Sequence, residues 1–235
     1  MKEKIIIPLD VPEISDARFL VDSLKDIVGA FKVGMELFYA AGGAVLDMIH
    51  NAGAKVFLDL KLHDIPHTVA NALKVLAGHN IWMTNIHISG GRPMLQAAVA
   101  ALNSLSNRPL LIGVTVLTSI DQQVLSDLGF DFELHAKVLE WSGIARECGL
   151  NGVVCSPHEI SDIKGQYGRE FLTVVPGIRP VWARNDDQKR IMTPRQAVVN
   201  GADYLVIGRP VTKAENPRTA AWKIIEEMED GNGHA

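Results

Sequence analysis

Cysteine is scarce in this chain: Cys148 and Cys155 are the two among 235 residues. Their spacing fits neither a metal-ligand set nor a disulfide framework, which excludes a zinc module and a disulfide-stapled secreted domain. Each reads as a small buried hydrophobe in a reducing compartment. Long apolar runs are missing too, and no window approaches the length of a membrane span. The start, MKEKIIIPLD, has too short an apolar run for a signal peptide. A soluble, cytoplasmic protein is expected, with no membrane role. Basic residues are not in excess, and a net charge of -4 leaves no electrostatic footprint for nucleic acid. The chain has no dinucleotide fingerprint, no Ser/His/Asp pattern and no metal-spaced His or Cys cluster. No linker or composition shift divides it.

What is there is a repeating alternation. The composition, 47% hydrophobic and 21% charged, is ordinary and ample for a large core. Short β-rich apolar runs recur, each followed by a segment of helical period. Strands are expected at 5–9, 30–33, in the first part of 55–69, and at 83–88, 110–116, 152–155, 172–175 and 204–207. The first helix is expected from about Ser15, a good cap, with Phe19, Leu20 and Leu24 on one face. The second is expected over 36–51 and the third from Pro66, a residue suited to a first helical turn. Later helices should follow Gly90-Gly91, a Ser119/Gln122 capping box (one or two helices to about Cys148), Ser156-Pro157, Thr193-Pro194 and Asn216-Pro217. The tail 229–235 is polar and Gly-rich, and fraying is expected. Near-continuous apolar strands suit a parallel sheet buried on both faces. Eight β–α pairs then give a single (β/α)₈ barrel domain, a TIM barrel, over 1–235. A doubly wound open sheet is the alternative, because periodicity does not show closure.

The stretch KVFLDLKLHDIPHTV at 55–69 stands out. Strand side chains alternate, so Phe57, Asp59 and Lys61 share one face, and Leu58, Leu60 and Leu62 the other. Asp64 follows just past the strand. Charges are rarely buried unpaired, since desolvation costs several kcal/mol each. A structural ion pair at a strand end is one reading; a reactive site is the other. In such barrels chemistry sits at the C-terminal ends of the strands. Asp10, Lys32, Asp59, Lys61, Asn85, His87, Thr115, Thr118, Arg179, Gly208 and Arg209 all fall at or near those ends. The loops after strands seven and eight, the usual phosphate site of this fold, supply Pro176 to Arg179 and Gly208-Arg209. Gly208 lets backbone N–H groups approach an anion, and Arg209 adds a charged fork. A lysine among carboxylates is held protonated, which suits it to donate a proton rather than to attack. Such a site fits a carbanion that must be stabilised and quenched. His63 and His67 read as structural or solvent-facing.

Together these residues resemble the bacterial orotidine 5′-phosphate decarboxylases. The strongest mark is D-x-K-x-x-D-I-P-x-T, here Asp59, Lys61, Asp64, Ile65, Pro66 and Thr68. PLD at 8–10, FKVG at 31–34, VTVLTS at 114–119, PGIRP at 176–180, DDQKR at 186–190 and IGRPVTKAENP at 207–217 support it, over nearly the whole chain. The resemblance implies decarboxylation of orotidine 5′-phosphate to UMP in pyrimidine biosynthesis, with no metal and no organic cofactor. It implies that Lys61 protonates pyrimidine C6 and that Asp59 lies against the substrate carboxylate. Lys32 and Asp10 would bind the nucleoside, and Thr118 the pyrimidine ring. Pro176, Arg179, Gln188, Gly208 and Arg209 would belong to the substrate site, the last four at the phosphate end. Asp64 and Thr68 would reach into the partner's site of a homodimer. The polar loop 181–190 would be a lid carrying Gln188. Two other functions remain open on the residues alone: a metal-dependent sugar-phosphate aldolase or decarboxylase, such as a hexulose-phosphate synthase, and a non-catalytic phosphate-ligand sensor.

Overall fold

The apolar runs form eight parallel strands: β1 (Ile5–Pro8), β2 (Ala30–Gly34), β3 (Val56–Leu62), β4 (Met83–His87), β5 (Leu110–Val114), β6 (Gly152–Val154), β7 (Leu172–Val175) and β8 (Tyr204–Val206). The computed structural model describes residues 1–183 and 192–229. Each strand pairs with the next, and β1 pairs with β8 through Ile5↔Leu205 and Ile6↔Val206, so the sheet closes into a barrel. The open-sheet alternative is thereby removed.

Two apolar layers follow from the strand period. One face of each strand points inward, where Ile6, Ala30, Phe57, Met83, Ile112 and Val174 fill the barrel. The other meets the surrounding helices in the larger core, which includes Ile5, Ile7, Leu58, Ile86 and Leu205. The barrel is therefore a packed interior with a functional end, not a pore.

Several helix boundaries match their sequence signals. Helix Pro66–Ala77 carries proline in its first turn. Thr193 and Gln196 make a reciprocal capping box on helix Pro194–Val199, and Asn216 Oδ1 accepts from the Thr219 N–H at the start of the last helix, Pro217–Glu229. Others differ. The expected helix at 36–51 is two helices, Met35–Ala41 and Gly43–Asn51, because Gly42 between them sits at φ 58°, ψ -143°. The first helix starts at Ile14 without a side-chain cap from Ser15, and Phe19 on it is 63% exposed while Leu20 and Leu24 are buried. Asp121, not Ser119, caps helix Gln122–Asp127 through the Val124 N–H, while Gln122 Oε1 accepts from the Leu134 N–H. Among the described residues no helix is long and apolar enough to cross a membrane.

Candidate active site

Four charges of alternating sign line the C-terminal mouth of β1 to β3. Lys32 Nζ lies 3.2 Å from Asp10 Oδ1 and 3.3 Å from Asp59 Oδ2, and Lys61 Nζ lies 2.7 Å from Asp59 Oδ1. Strand register explains the grouping, since Pro8 pairs with Lys32 and Gly34 with Asp59. Gly34 lies close against the array: a Cβ there would sit 3.3 Å from Lys32 Nζ and 3.7 Å from Asp10 Oδ1, so a side chain would press on the ammonium. Asp59 is 7% exposed. Burial alone would raise its carboxyl pKa, but Lys32, Lys61 and the bond from Asn85 outweigh that and hold it below the ordinary 3.8. It is a fixed anion between two cations. His87, on β4, is pushed below the ordinary 6.5, first by burial and then by its neighbours His63 and Lys61, which favours the neutral imidazole.

The same cavity, of about 320 Å³, runs from this array to the loops after β7 and β8. Its walls include Asp10, Lys32, Asp59, Lys61, Thr118, Pro176, Arg179, Gly208 and Arg209. The Arg179 backbone N–H donates to Met192 O at 2.9 Å, tying down the loop after β7, and Gly177 takes a left-handed φ of 77° that favours glycine. Gly208 precedes the short helix Arg209–Thr212, and a Cβ on it would meet Pro8 Cγ at 3.1 Å. Phe57, Val114, Val154, Val174 and Val206 line the floor. The cavity is thus charged on one wall, basic on another and apolar beneath, which suits a flat ring joined to an anionic tail.

Not every expected residue reaches it. Asp64 and Thr68 are exposed and stand apart from the walls of this cavity; Asp64 Oδ1 accepts from the Ile65 N–H at 2.6 Å. Thr115, near the strand end, turns its hydroxyl to Val154 O at 2.8 Å. His67 lies within reach of Asn71 on an exposed helix face, and His63 packs near His87 with ring centroids 5.4 Å apart. Gln188 and most of the expected lid at 181–190 lie outside the described residues. Among the described residues no group of three or more His, Cys, Asp or Glu side chains is placed to hold a metal ion. Asn85 was visible as a polar residue in an apolar strand but had no role assigned; its side chain proves to touch both Asp59 and Lys61.

A closed (β/α)₈ barrel with a basic grip at its seventh and eighth loops and a lysine–carboxylate array opposite defines the class of phosphate-ligand barrels. Within that class, a sequence profile of the orotidine 5′-phosphate decarboxylase / HUMPS family matches residues 3–224, and the chain belongs to this family. It is 50% identical over 233 residues to an orotidine 5′-phosphate decarboxylase of Carboxydothermus hydrogenoformans, covering 97% of each chain. A second, from Moorella thermoacetica, is 48% identical over 234 residues, with 97% of this chain and 93% of the relative covered. Among solved structures, the orotidine 5′-phosphate decarboxylase of Lactobacillus acidophilus superposes with a TM-score of 0.84 at 36% identity, covering 96% of this chain and 98% of that one.

Proposed function

We propose that this chain decarboxylates orotidine 5′-phosphate to UMP, a step of pyrimidine biosynthesis, in the cytoplasm and as a homodimer. The observation that carries the reading is one cavity with the Lys32–Asp59–Lys61 array on one wall and Arg179, Gly208 and Arg209 on another. Arg179 and Arg209 bind the phosphate, and Gln188 joins them. Pro176 and Thr118 flank the pyrimidine, and Asp10 and Lys32 hold the ribose. Binding energy from this remote end is then available where the bond breaks.

Loss of CO₂ leaves an electron pair on C6. The Lys61 ammonium, held 2.7 Å from the fixed anion Asp59, stabilises that charge and delivers its proton to the carbon. The departing carboxylate sits against Asp59, whose ionised state is maintained by Lys32 and Lys61. Asp64 and Thr68 act across the subunit interface, completing the partner's array. Their exposure, beside an Ile65 that is 67% exposed, supports an intersubunit role. Reduced thiols at Cys148 and Cys155 suit the cytoplasm.

The test is ultraviolet-monitored loss of orotidine 5′-phosphate with excess EDTA present. Conversion to UMP at an undiminished rate is expected. Lys61→Ala should lower kcat by at least about 10²–10⁴-fold, the range for a positioned general acid, with UMP binding retained. Folded, dimeric protein that leaves the substrate untouched would overturn the reading. Turnover of sugar phosphates on restoring magnesium would then favour a metal-dependent aldolase or decarboxylase.

A further inference from the structure

Lys61 has an unusual backbone. Its φ is 51°, in the left-handed region that a side chain of this length rarely occupies. The cause is a disruption of the β3–β4 ladder. Leu58 pairs with Thr84 and Leu62 with Ile86, so β3 advances four residues while β4 advances two. The extra chain is the segment Asp59-Leu60-Lys61, opposite Asn85. Strand bulges of this kind re-aim side chains and recur beside reactive sites.

One side chain occupies the gap. Asn85 is 0% exposed and points into the barrel, in phase with Met83 of the interior layer. Its Oδ1 accepts from the Lys61 backbone N–H at 2.8 Å, where a regular ladder would offer a strand carbonyl. Its Nδ2 donates to Asp59 Oδ1 at 2.7 Å. That same carboxylate oxygen accepts from Lys61 Nζ at 2.7 Å. The amide orientation is therefore dictated: oxygen must face the N–H, and NH₂ must face the carboxylate. The three residues form a closed ring running from Lys61 N–H to Asn85, to Asp59 and back through the ammonium.

We infer that Asn85 is a positioning residue for the reaction, locking Lys61 in its left-handed backbone and Asp59 against it so that the ammonium is aimed into the cavity. This rests on Lys61 being the proton donor. Local strain persists only where surrounding structure over-determines it, and here the buried amide supplies that restraint. Among the described residues, no other uncharged side chain bonds both members of the pair. Leucine or alanine at 85 would leave a buried N–H and one carboxylate bond unmet, and the bulge would be free to relax.

The experiment compares wild type, Asn85→Ala and Asn85→Asp in steady-state turnover of orotidine 5′-phosphate and in equilibrium binding of UMP. Asn85→Ala should lose about 10²-fold in kcat, the scale of an ångström-sized misplacement. Its KM and its affinity for UMP should stay near the wild-type values, because the phosphate grip lies on β7 and β8. Asn85→Asp gives a signature that general destabilisation would not. Its carboxyl keeps the acceptor for Lys61 N–H but faces Asp59, and two adjoining carboxylates hold one proton between them. Around that pair stand Lys61, Lys32 beyond Asp59, and His87 further along β4. While the shared proton remains, the bond to Asp59 survives. As pH rises and that proton leaves, repulsion breaks the clamp. The kcat of Asn85→Asp should therefore begin to fall at a lower pH than that of wild type.

Near-wild-type kcat in Asn85→Ala would overturn the inference while leaving the decarboxylase reading intact. So would equal losses in kcat and UMP affinity together with a wild-type pH profile in Asn85→Asp. Wild-type protein without turnover would sink both.

Discussion

Arg209 and Lys61 stand at opposite walls of one cavity, and their chemistry separates accordingly. Arg209 opens a four-residue helix behind Gly208, with its permanent charge in the basic wall, the proposed phosphate site. A charge-assisted hydrogen bond contributes about 1.5–3 kcal/mol, or roughly 10- to 100-fold. Arg209→Ala should lower kcat/KM by that factor for orotidine 5′-phosphate and hardly at all for the phosphate-free nucleoside. Equal losses on both substrates would show general damage to the rim. Lys61 is different because its value lies in geometry relative to Asp59. A buried pair stabilises the fold only weakly once desolvation is counted, so the array is better understood as a device for specificity of placement. The polar side chains were readable individually. Asp10, Lys32, Asp59, Lys61, Thr118, Pro176, Arg179, Gly208 and Arg209, each expected at the mouth, do line one cavity. The part played by Asn85 was not readable, since it depends on β3 slipping against β4, and no local pattern on either strand records that.

At the level of elements, glycine marks the departures from regularity. Gly42 breaks an otherwise continuous helical pattern, and nothing lies within 4 Å of where its Cβ would be. Space is free, so its requirement is purely conformational. Gly42→Ala should cost about 1–3 kcal/mol, the range for a residue forced into such a backbone, read as a lower urea midpoint with unchanged slope. No loss would mean the two helices can fuse or shift without penalty. Gly152 is the reverse case: its Cβ would meet Leu172 O at 2.1 Å, so β6 and β7 approach too closely for any side chain. Sequence periodicity located the strands because inward and outward faces are both apolar, and it located helix starts where a cap and a proline coincide, as at Thr193-Pro194. It missed the break at Gly42 because an isolated glycine within an amphipathic pattern is compatible with an unbroken helix. It misassigned the Ser119 cap because Ser119 and Asp121 are both good capping residues, and it is the Asp121 carboxylate that accepts from the Val124 N–H.

For the whole molecule, barrel closure sets which groups one chain can supply to its own cavity. Asp10, Lys32, Asp59 and Lys61 converge there, whereas Asp64 and Thr68 face outward from the β3–helix junction. If they serve the neighbouring subunit, two defective variants should repair one another. Mixed dimers of Lys61→Ala and Asp64→Asn contain one site free of both changes, so dissociation and random reassociation of equal amounts should restore about a quarter of wild-type activity under two-fold symmetry. Mixtures with only the sum of the parental activities would place Asp64 in its own subunit's site. The barrel itself was legible from eight strand–helix repeats; the pairing of β1 with β8 was not, because closure is a property of the last strand meeting the first.

The packed layer of Ile6, Ala30, Phe57, Met83, Ile112 and Val174 makes the cavity a cul-de-sac. Among the described residues, that layer leaves the C-terminal face as the way in and out. If the chain turns over orotidine 5′-phosphate as proposed, both products must leave by the face at which the substrate entered, and a nucleotide lingering there bars the next arrival.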